Sequence, residues 1–548
     1  MNDCPVSFRS KLSNYFLSRD RGWILSLLLA ASLVYLPFLG SPFVFDDVGF
    51  FAADLPAHYA RSSSYLQLRW LPYATLGWTE MAFSSVVTHF YHLGNLLLHA
   101  ANVILLFYLL RQLAAAAIPE NRLAAGWGAW FGALIFALHP VAVYAVGYAV
   151  QRSILMATLF SLVMLLAYVR ALLTGRARWL VLAALAYFLA VFSKEHSVMM
   201  PAVLAAVSVV LRGTMVANAR SLWLSWGAFA AIGLLIILRA QGVFGTPYEA
   251  MAADLFKHEG VSASGPGLYL LSVFTQAGLF FKYLLLWLFP NPACMSVDMR
   301  EPFVSSLGAW QGWLGAVGFS LYGIAGVALL LRKGSIRLAG LAMLYPWLQF
   351  LVEFSSIRVQ EPFVLYRSYL WMPGLLLLVP LLLSKWPGRK TLVALGAAAL
   401  LLAPLAVNRL WVFADNYRLW NDAARLLPDE RIAGADRIFF NRGQAEEGRG
   451  QLGDAVADFQ RVLAISPQYA PVHFELGWVY LRTGRHEDAM AQFDAAIAND
   501  PKYAPAYYGK AMVMKMRHEH AAAAELMAKS CELKSQIACL IVKGHIEH

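Results

Sequence analysis

The chain has 548 residues, 59% of them apolar and 14% charged, with a mean hydropathy of +0.55 and a formal net charge of +11. A soluble chain carries about a quarter charged residues, so a soluble enzyme, a disordered chain and a nucleic-acid-binding domain are excluded. Residues 1–412 hold 28 Lys+Arg against 15 Asp+Glu, a net of +13, whereas residues 413–548 hold 16 against 18, a net of −2. The basic excess therefore belongs to the apolar part, where it marks cytoplasmic loops rather than nucleic-acid contact.

A bilayer crossing takes about 20 mostly apolar residues. Spans are predicted near 22–40, 92–111, 127–148, 152–171, 178–193, 196–212, 222–239, 309–331, 337–353, 368–384 and 390–412. Short-loop Lys and Arg set the orientation. Arg9, Lys11, Arg19 and Arg21 precede the first span. Alternate loops then carry Arg111 with Arg122, Arg170 with Arg176 and Arg178, Arg212 with Arg220, Arg332 with Lys333 and Arg337, and Lys385 with Arg389 and Lys390. A further apolar stretch, 268–289, would break this alternation if it crossed. It is expected to be re-entrant or to lie at the outer surface. Residues 1–412 are thus predicted to form an α-helical polytopic membrane domain of about 11 spans, with the N-terminus cytoplasmic and residues 413–548 outside.

The polar residues on the outer side come in clusters. Asp46 and Asp47 directly follow the first span. A carboxylate beside apolar neighbours at a membrane surface can serve as a base, or an acid pair can hold a divalent cation. His92, Asn95 and His99 share one helical face at the start of the second span. His139-Pro140 should kink the third span near its outer half, and Arg152 sits in an outer turn. Lys194, Glu195 and His196 join two spans with no room for a loop, which is costly unless the group is paired or functional. Arg358, Glu361, Tyr366 and Arg367 precede the tenth span. An Arg there is shaped to grip a phosphate with two hydrogen bonds, or to anchor at the headgroups. Together these residues describe one outer-facing cavity with acids, histidines and a phosphate clamp.

The tail repeats with a period of 34 residues. Gly443, Gly477 and Ala511 are in register, as are Ala455, Ala489 and Ala523, then Phe459, Phe493 and Met527, then Pro467 and Pro501. The pattern resembles the tetratricopeptide repeat (TPR), about three repeats over 436–535, and predicts an α-solenoid domain over 413–548. Such an array either stabilises an assembly or offers a concave surface to a protein. Of the four cysteines, Cys531 and Cys539 flank the turn expected after the third repeat. They can pair there in an oxidising compartment, but not along one straight helix.

The order of the motifs is more specific than any one of them. Phe43-Val44-Phe45-Asp46-Asp47, His92-Leu93-Gly94-Asn95 to His99, Phe136-Ala137-Leu138-His139-Pro140 through Arg152, Ser193-Lys194-Glu195-His196, Lys282-Tyr283 to Phe289-Pro290, and Arg367-Ser368-Tyr369 to Pro373-Gly374 run in sequence before the repeats. This order resembles the transmembrane-and-TPR protein O-mannosyltransferases and their bacterial relatives, over nearly the whole chain. The resemblance implies a GT-C fold and transfer of a sugar from a polyprenyl-phosphate-linked donor to a hydroxyl of a protein acceptor, which the repeats engage. It implies that Asp46 or Asp47 is the catalytic base, with Asp46 favoured. It also implies that Arg152, Lys194 and Arg367 hold the donor and its phosphate, and that His92, His99, His139, Glu195, His196 and Glu361 line the cavity. No resident cofactor is implied, and a metal requirement is left open. Gln151-Arg152-Ser153 stands where the mannosyltransferases have a glycine-arginine-acid turn, so the sugar need not be mannose. A bacterial inner membrane with a periplasmic acceptor fits the composition. Transfer to a lipid or surface glycan, and a non-enzymatic TPR scaffold, are the alternatives. An enzyme needs Asp46 and Arg367 on one side of the bundle, and a scaffold does not.

Overall fold

The computed structural model describes residues 6–83, 87–239, 242, 245–247, 266–359 and 361–542, without the side chains of 6–19 and 122. It divides into two compact units: Met1–Val297 with Glu301–Asp415, and Asp298–Arg300 with Asn416–His548. Among the described residues both are helical.

The first unit begins with α1 (Val6–Tyr35), followed by three short helices, α2 (Asp46–Ala52), α3 (Leu55–Arg61) and α4 (Trp70–Phe83). Long apolar helices follow: α5 (Thr88–Ala117), α6 (Arg122–Leu138), the short α7 (Val143–Val146), α8 (Arg152–Thr174), α9 (Arg178–Ser193), α10 (Met200–Leu211) and α11 (Ala219–Arg239). Then come α12 (Pro266–Leu288), α13 (Trp310–Leu331), α14 (Arg337–Phe350), α15 (Ser368–Trp371), α16 (Leu378–Lys385) and α17 (Arg389–Phe413). Nine described helices are long and apolar enough to cross a membrane, and the pair 123–138 and 140–146 is bent by 50°. Pro140 lacks the N–H that would continue the ladder, which accounts for the bend. Two shorter apolar helices, 178–193 and 195–211, complete the alternation. The chain is therefore a multi-pass membrane protein.

The segment 266–288 passes the same length and composition test, and it packs closely along the helix that follows it. Phe274 meets Trp313 with ring centroids 4.8 Å apart, and Phe280 meets Tyr322 at 5.1 Å. A Cβ on Gly315 would lie 2.8 Å from the Gly278 backbone nitrogen, so only glycine permits this approach. The numbers rise together, so α12 and α13 run parallel although they are consecutive. Leu268 and Leu271 pack with Phe303, Ile357 and Val359, and the Trp287 indole N–H donates to Ser368 Oγ at 3.0 Å. These contacts tie α12 to the stretch before α15 and to α15 itself, near the face of the bundle where α1 ends and α8 begins. The remaining apolar helices alternate between that face and the opposite one. The loops on the opposite face carry Arg111, Arg170, Arg176, Arg212, Arg332 and Lys385.

The second unit is a solenoid of antiparallel helix pairs. A first helix, α18 (Asn416–Arg425), is followed by α19 (Ala435–Gly448) with α20 (Leu452–Ile465), α21 (Ala470–Arg482) with α22 (His486–Asn499), and α23 (Ala504–Met516) with α24 (His520–Glu532). α25 (Gln536–Val542) ends the described chain. The 34-residue register has a steric cause. A Cβ on Gly443 would come 2.7 Å from the Phe459 ring, and one on Gly477 would come 2.7 Å from the Phe493 ring. Each glycine lets the paired helices close on the phenylalanine. In the third pair Ala511 faces Met527, a thinner side chain that leaves room for the methyl group.

Cys531 and Cys539 stand on either side of a turn at Lys534 (φ 70°) with Cα atoms 4.6 Å apart, joined as a disulfide. We expect denatured, unreduced protein to take up polyethylene-glycol maleimide at the other two cysteines, Cys4 and Cys294, and at all four after reduction. Labelling of all four without reductant would place the solenoid in a reducing compartment.

Candidate active site

The loop after α1 is fixed by Asp47. Its carboxylate accepts the backbone N–H groups of Val150 at 2.7 Å, Ala149 at 3.0 Å and Val44 at 3.5 Å, and the side chain is fully buried. Burial pushes this carboxyl up to about 7, against the pull of the three donors. Phe45, just before the acid pair, has φ 52° and ψ −121°, a region bulky residues rarely enter. The turn sends Asp47 inward and leaves Asp46 exposed. The Asp46 backbone N–H donates to the Tyr148 hydroxyl at 2.9 Å.

Asp46 faces a polar cavity of about 180 Å³, shared with Arg69, Tyr73, Gln151, Lys194, Glu195, His196, Arg358, Glu361, Tyr366 and Arg367. Its walls come from α2, the loop before α4, the α9–α10 junction and the stretch between α14 and α15. Arg69 forms a two-point ion pair with Glu195, Nε to Oε2 at 3.1 Å and Nη2 to Oε1. Arg367 Nη1 donates to Glu353 Oε2 at 3.0 Å, with Arg358 Nε 3.6 Å from the same oxygen. His196 Nε2 lies 3.0 Å from Glu353 Oε1. Lys194 Nζ sits 5.6 Å from the centre of the Tyr366 ring. Burial, then Arg69, pushes the Lys194 ammonium down to about 7, and Glu195 opposes the shift.

A second, larger cavity of about 950 Å³ adjoins the first, at the upper end of the size range of small-molecule sites. It is lined mainly by apolar side chains, among them Tyr187, Trp226, Phe229, Leu234, Ile237 and Leu351. Arg69, Tyr73, Glu195, His196 and Arg358 belong to both walls.

The expected site residues divide into two groups. Asp46, Lys194, Glu195, His196, Glu361 and Arg367 converge on the polar cavity. Asp46 and Arg367 therefore share one side of the bundle, as an enzyme requires. Asp47, Arg152, His92, His99 and His139 do not line that cavity, because each is buried with its polar atoms engaged elsewhere. Arg152 donates to Asn95 Oδ1 at 3.0 Å, the Tyr91 carbonyl at 2.9 Å and the Thr75 carbonyl at 3.1 Å. Gly94 makes room for it, since a Cβ there would lie 2.6 Å from Nη2. His92 meets the Ser41 carbonyl at 3.1 Å, His99 the Tyr369 hydroxyl at 2.7 Å, and His139 the Trp287 carbonyl at 3.2 Å. These five residues brace the bundle. Arg69 and Tyr73 on the cavity wall, and Glu353 behind it, escaped the sequence reading. Glu353 was detectable as a lone acid at the end of an apolar span, which is costly unless paired. Arg69 lies in an ordinary polar loop, and nothing in its neighbours marks it. Among the described residues, no group of three or more His, Cys, Asp or Glu is arranged to hold a metal ion.

Residues 448–529 match the tetratricopeptide repeat family model. No match was found among curated protein sequences. The crystal structure of MamA is similar at 21% identity, covering 29% of this chain and 85% of its own, with a TM-score of 0.19. YrrB, a TPR protein with an unusual peptide-binding site, is similar at 20% identity, covering 30% and 87%, with a TM-score of 0.22. The archaeal oligosaccharyltransferase AglB from Archaeoglobus fulgidus, in complex with an inhibitory peptide and a dolichol-phosphate, is similar at 17% identity with a TM-score of 0.35. That match covers 77% of this chain, which spans 60% of AglB.

The bracing role of Arg152 has a direct check. Arg152→Ala removes the donor to buried Asn95 Oδ1 and a second donor from the Tyr91 and Thr75 carbonyls, a loss of about 3 kcal/mol. The melting midpoint in detergent should fall, and Arg152→Lys should not restore it, because the planar fork is lost. An unchanged midpoint with lost ligand binding would instead return Arg152 to the site.

Proposed function

We propose that this protein is a GT-C-type glycosyltransferase that moves a sugar from a polyprenyl-phosphate-linked donor to a hydroxyl of an extracytoplasmic protein. The observation that carries the reading is the junction of the two cavities. A large apolar chamber adjoins a small chamber lined by three acids, Asp46, Glu195 and Glu361, and several cations. A prenyl chain suits the first chamber, and a sugar with its phosphate suits the second.

Asp46 is the base in this scheme. Its carboxylate takes the proton from the acceptor hydroxyl as that oxygen attacks the anomeric carbon. The bond from the anomeric carbon to the phosphate oxygen breaks, and its electron pair leaves with the polyprenyl phosphate. Lys194 and Arg367 supply positive charge beside the donor. Asp47 holds the loop that aims Asp46. The sided arrangement follows the basic loops, with the cavity face and the repeats in the bacterial periplasm and the repeats engaging the acceptor. A disulfide between Cys531 and Cys539 accords with that compartment.

The test is sugar transfer in membranes carrying wild type, Asp46→Asn or Asp47→Asn, with radiolabelled donor made from the host polyprenyl-phosphate pool. Asp46→Asn should cut labelling about 100-fold or more at normal expression, with the label in the protein fraction of the wild type. Label in lipid or glycan instead would change the acceptor class. Equal labelling by all three would leave a membrane-anchored TPR scaffold as the reading.

The pH dependence should follow Lys194. With its ammonium pushed down to about 7, the side chain is charged below that value and loses its charge as pH rises through it. An anionic donor should therefore bind best below pH 7, and its KM should climb above it. Lys194→Arg keeps the charge at every pH and should flatten that limb. A KM that rises identically in both proteins would assign the titration to another group.

A further inference from the structure

Resting on the proposed function, we infer that the donor phosphate stands at the seam between the two cavities and is gripped by Arg69, which exchanges its ion pair with Glu195 for one with the phosphate. The reasoning starts from the connectivity of the donor. In a polyprenyl-phosphate sugar the phosphate is the single link between the chain and the ring. A chain in the apolar cavity and a sugar in the polar one place that link among the residues common to both walls. Those residues are Arg69, Tyr73, Glu195, His196 and Arg358. Lys194 and Arg367 line the polar cavity alone, so they face the sugar side of the phosphate.

Among the five, Arg69 is built to present a fixed fork. Its backbone is held in the left-handed region at φ 63°, with its N–H bonded to the Phe192 carbonyl at 2.8 Å. The same loop is held again where Arg239 Nη1 donates to the Leu66 carbonyl at 2.7 Å. The guanidinium is about a quarter exposed, as is Glu195, so the pair borders open space rather than sealed core. A carboxylate and a phosphate oxygen pair offer the guanidinium the same two-point geometry. Glu195 therefore occupies the position a phosphate would take. Its negative charge cannot remain beside the phosphate at the same contact, so binding entails exchange. Arg358 supplies the second cation. Its Nε lies 3.2 Å from Ser356 Oγ and 3.6 Å from Glu353.

The experiment measures binding to the purified full chain in detergent, with two probes: a polyprenyl monophosphate without sugar, and the polyprenol of the same length. Wild type should bind the phosphate more tightly than the alcohol. Arg69→Ala should weaken the phosphate about tenfold or more and leave polyprenol affinity unchanged, which also shows that the apolar cavity is intact. Arg69→Lys should recover only part of the loss. Glu195→Gln should bind the phosphate at least as well as wild type, because the competing carboxylate charge is gone. Three results would overturn the inference. Phosphate binding that survives Arg69→Ala but fails in Arg367→Ala would put the phosphate deeper, with the proposed function standing. Equal loss of both probes in Arg69→Ala would make Arg69 a part of the loop architecture only. Equal affinity of wild type for the two probes would remove the lipid-phosphate site, and the proposed function with it.

Discussion

The arrangement of the site depends on one buried polar knot. Asp47 ties the loop after α1 to the backbone at 149–150, and Asn95 donates to the carbonyl of Tyr148 at 3.1 Å. Arg152 then holds Asn95 and the Tyr91 carbonyl. Two spans, α5 and α8, and two loops meet in that network, each buried charge with hydrogen-bond partners. Such a network defines geometry more than it adds stability, because desolvation offsets much of what the contacts return. Its product is the direction of Asp46. With Asp47 turned inward and Phe45 in its uncommon conformation, the next carboxylate is left facing the polar cavity.

The electrostatics of that cavity follow from its depth. Four cationic side chains, Arg69, Lys194, Arg358 and Arg367, stand beside an apolar chamber. Left without acids they would repel one another in a medium of low polarity. Glu195 and Glu353 divide the work. One pairs with Arg69, and the other sits between Arg367, Arg358 and His196. Among the described residues Lys194 forms no such ion pair, and burial lowers its proton affinity against the opposing charge of Glu195.

The sequence displayed the architecture more readily than the roles. Apolar length, loop charge and the 34-residue register are one-dimensional signals, and the spans, the alternation and the solenoid follow from them. The segment 268–289 is where these signals disagree, because loop charge argues against a further crossing while its length and apolar composition suit one. Roles depend on which way a side chain points. His92, His99, His139 and Arg152 look in sequence like Lys194 and Arg367, polar residues at the ends of spans. Only packing separates the four that satisfy buried carbonyls and hydroxyls from the two that reach the cavity. The acid pair shows the limit most sharply. Asp46 and Asp47 are adjacent and identical in type, and one positive φ angle sends them to opposite environments. Arg69 had no sequence signal because its partner Glu195 is 126 residues away.

In the proposed reaction the acids have a further consequence. The donor is a phosphodiester with a single negative charge, whereas the departing polyprenyl phosphate is a monoester approaching two near neutral pH. A cavity of unopposed cations would bind the product more tightly than the substrate and hold it. With Glu195, Glu353 and Glu361 among the same cations, the extra product charge meets a field that is nearly balanced. The acids that compete with the donor on arrival are then also the groups that favour departure of the spent lipid. Attraction in the cavity is strong enough to orient a phosphate only while the acids yield, and their return restores the ion pairs with Arg69, Arg358 and Arg367. Binding and release thus draw on one set of charge pairs, and removing either sign would speed one step at the expense of the other.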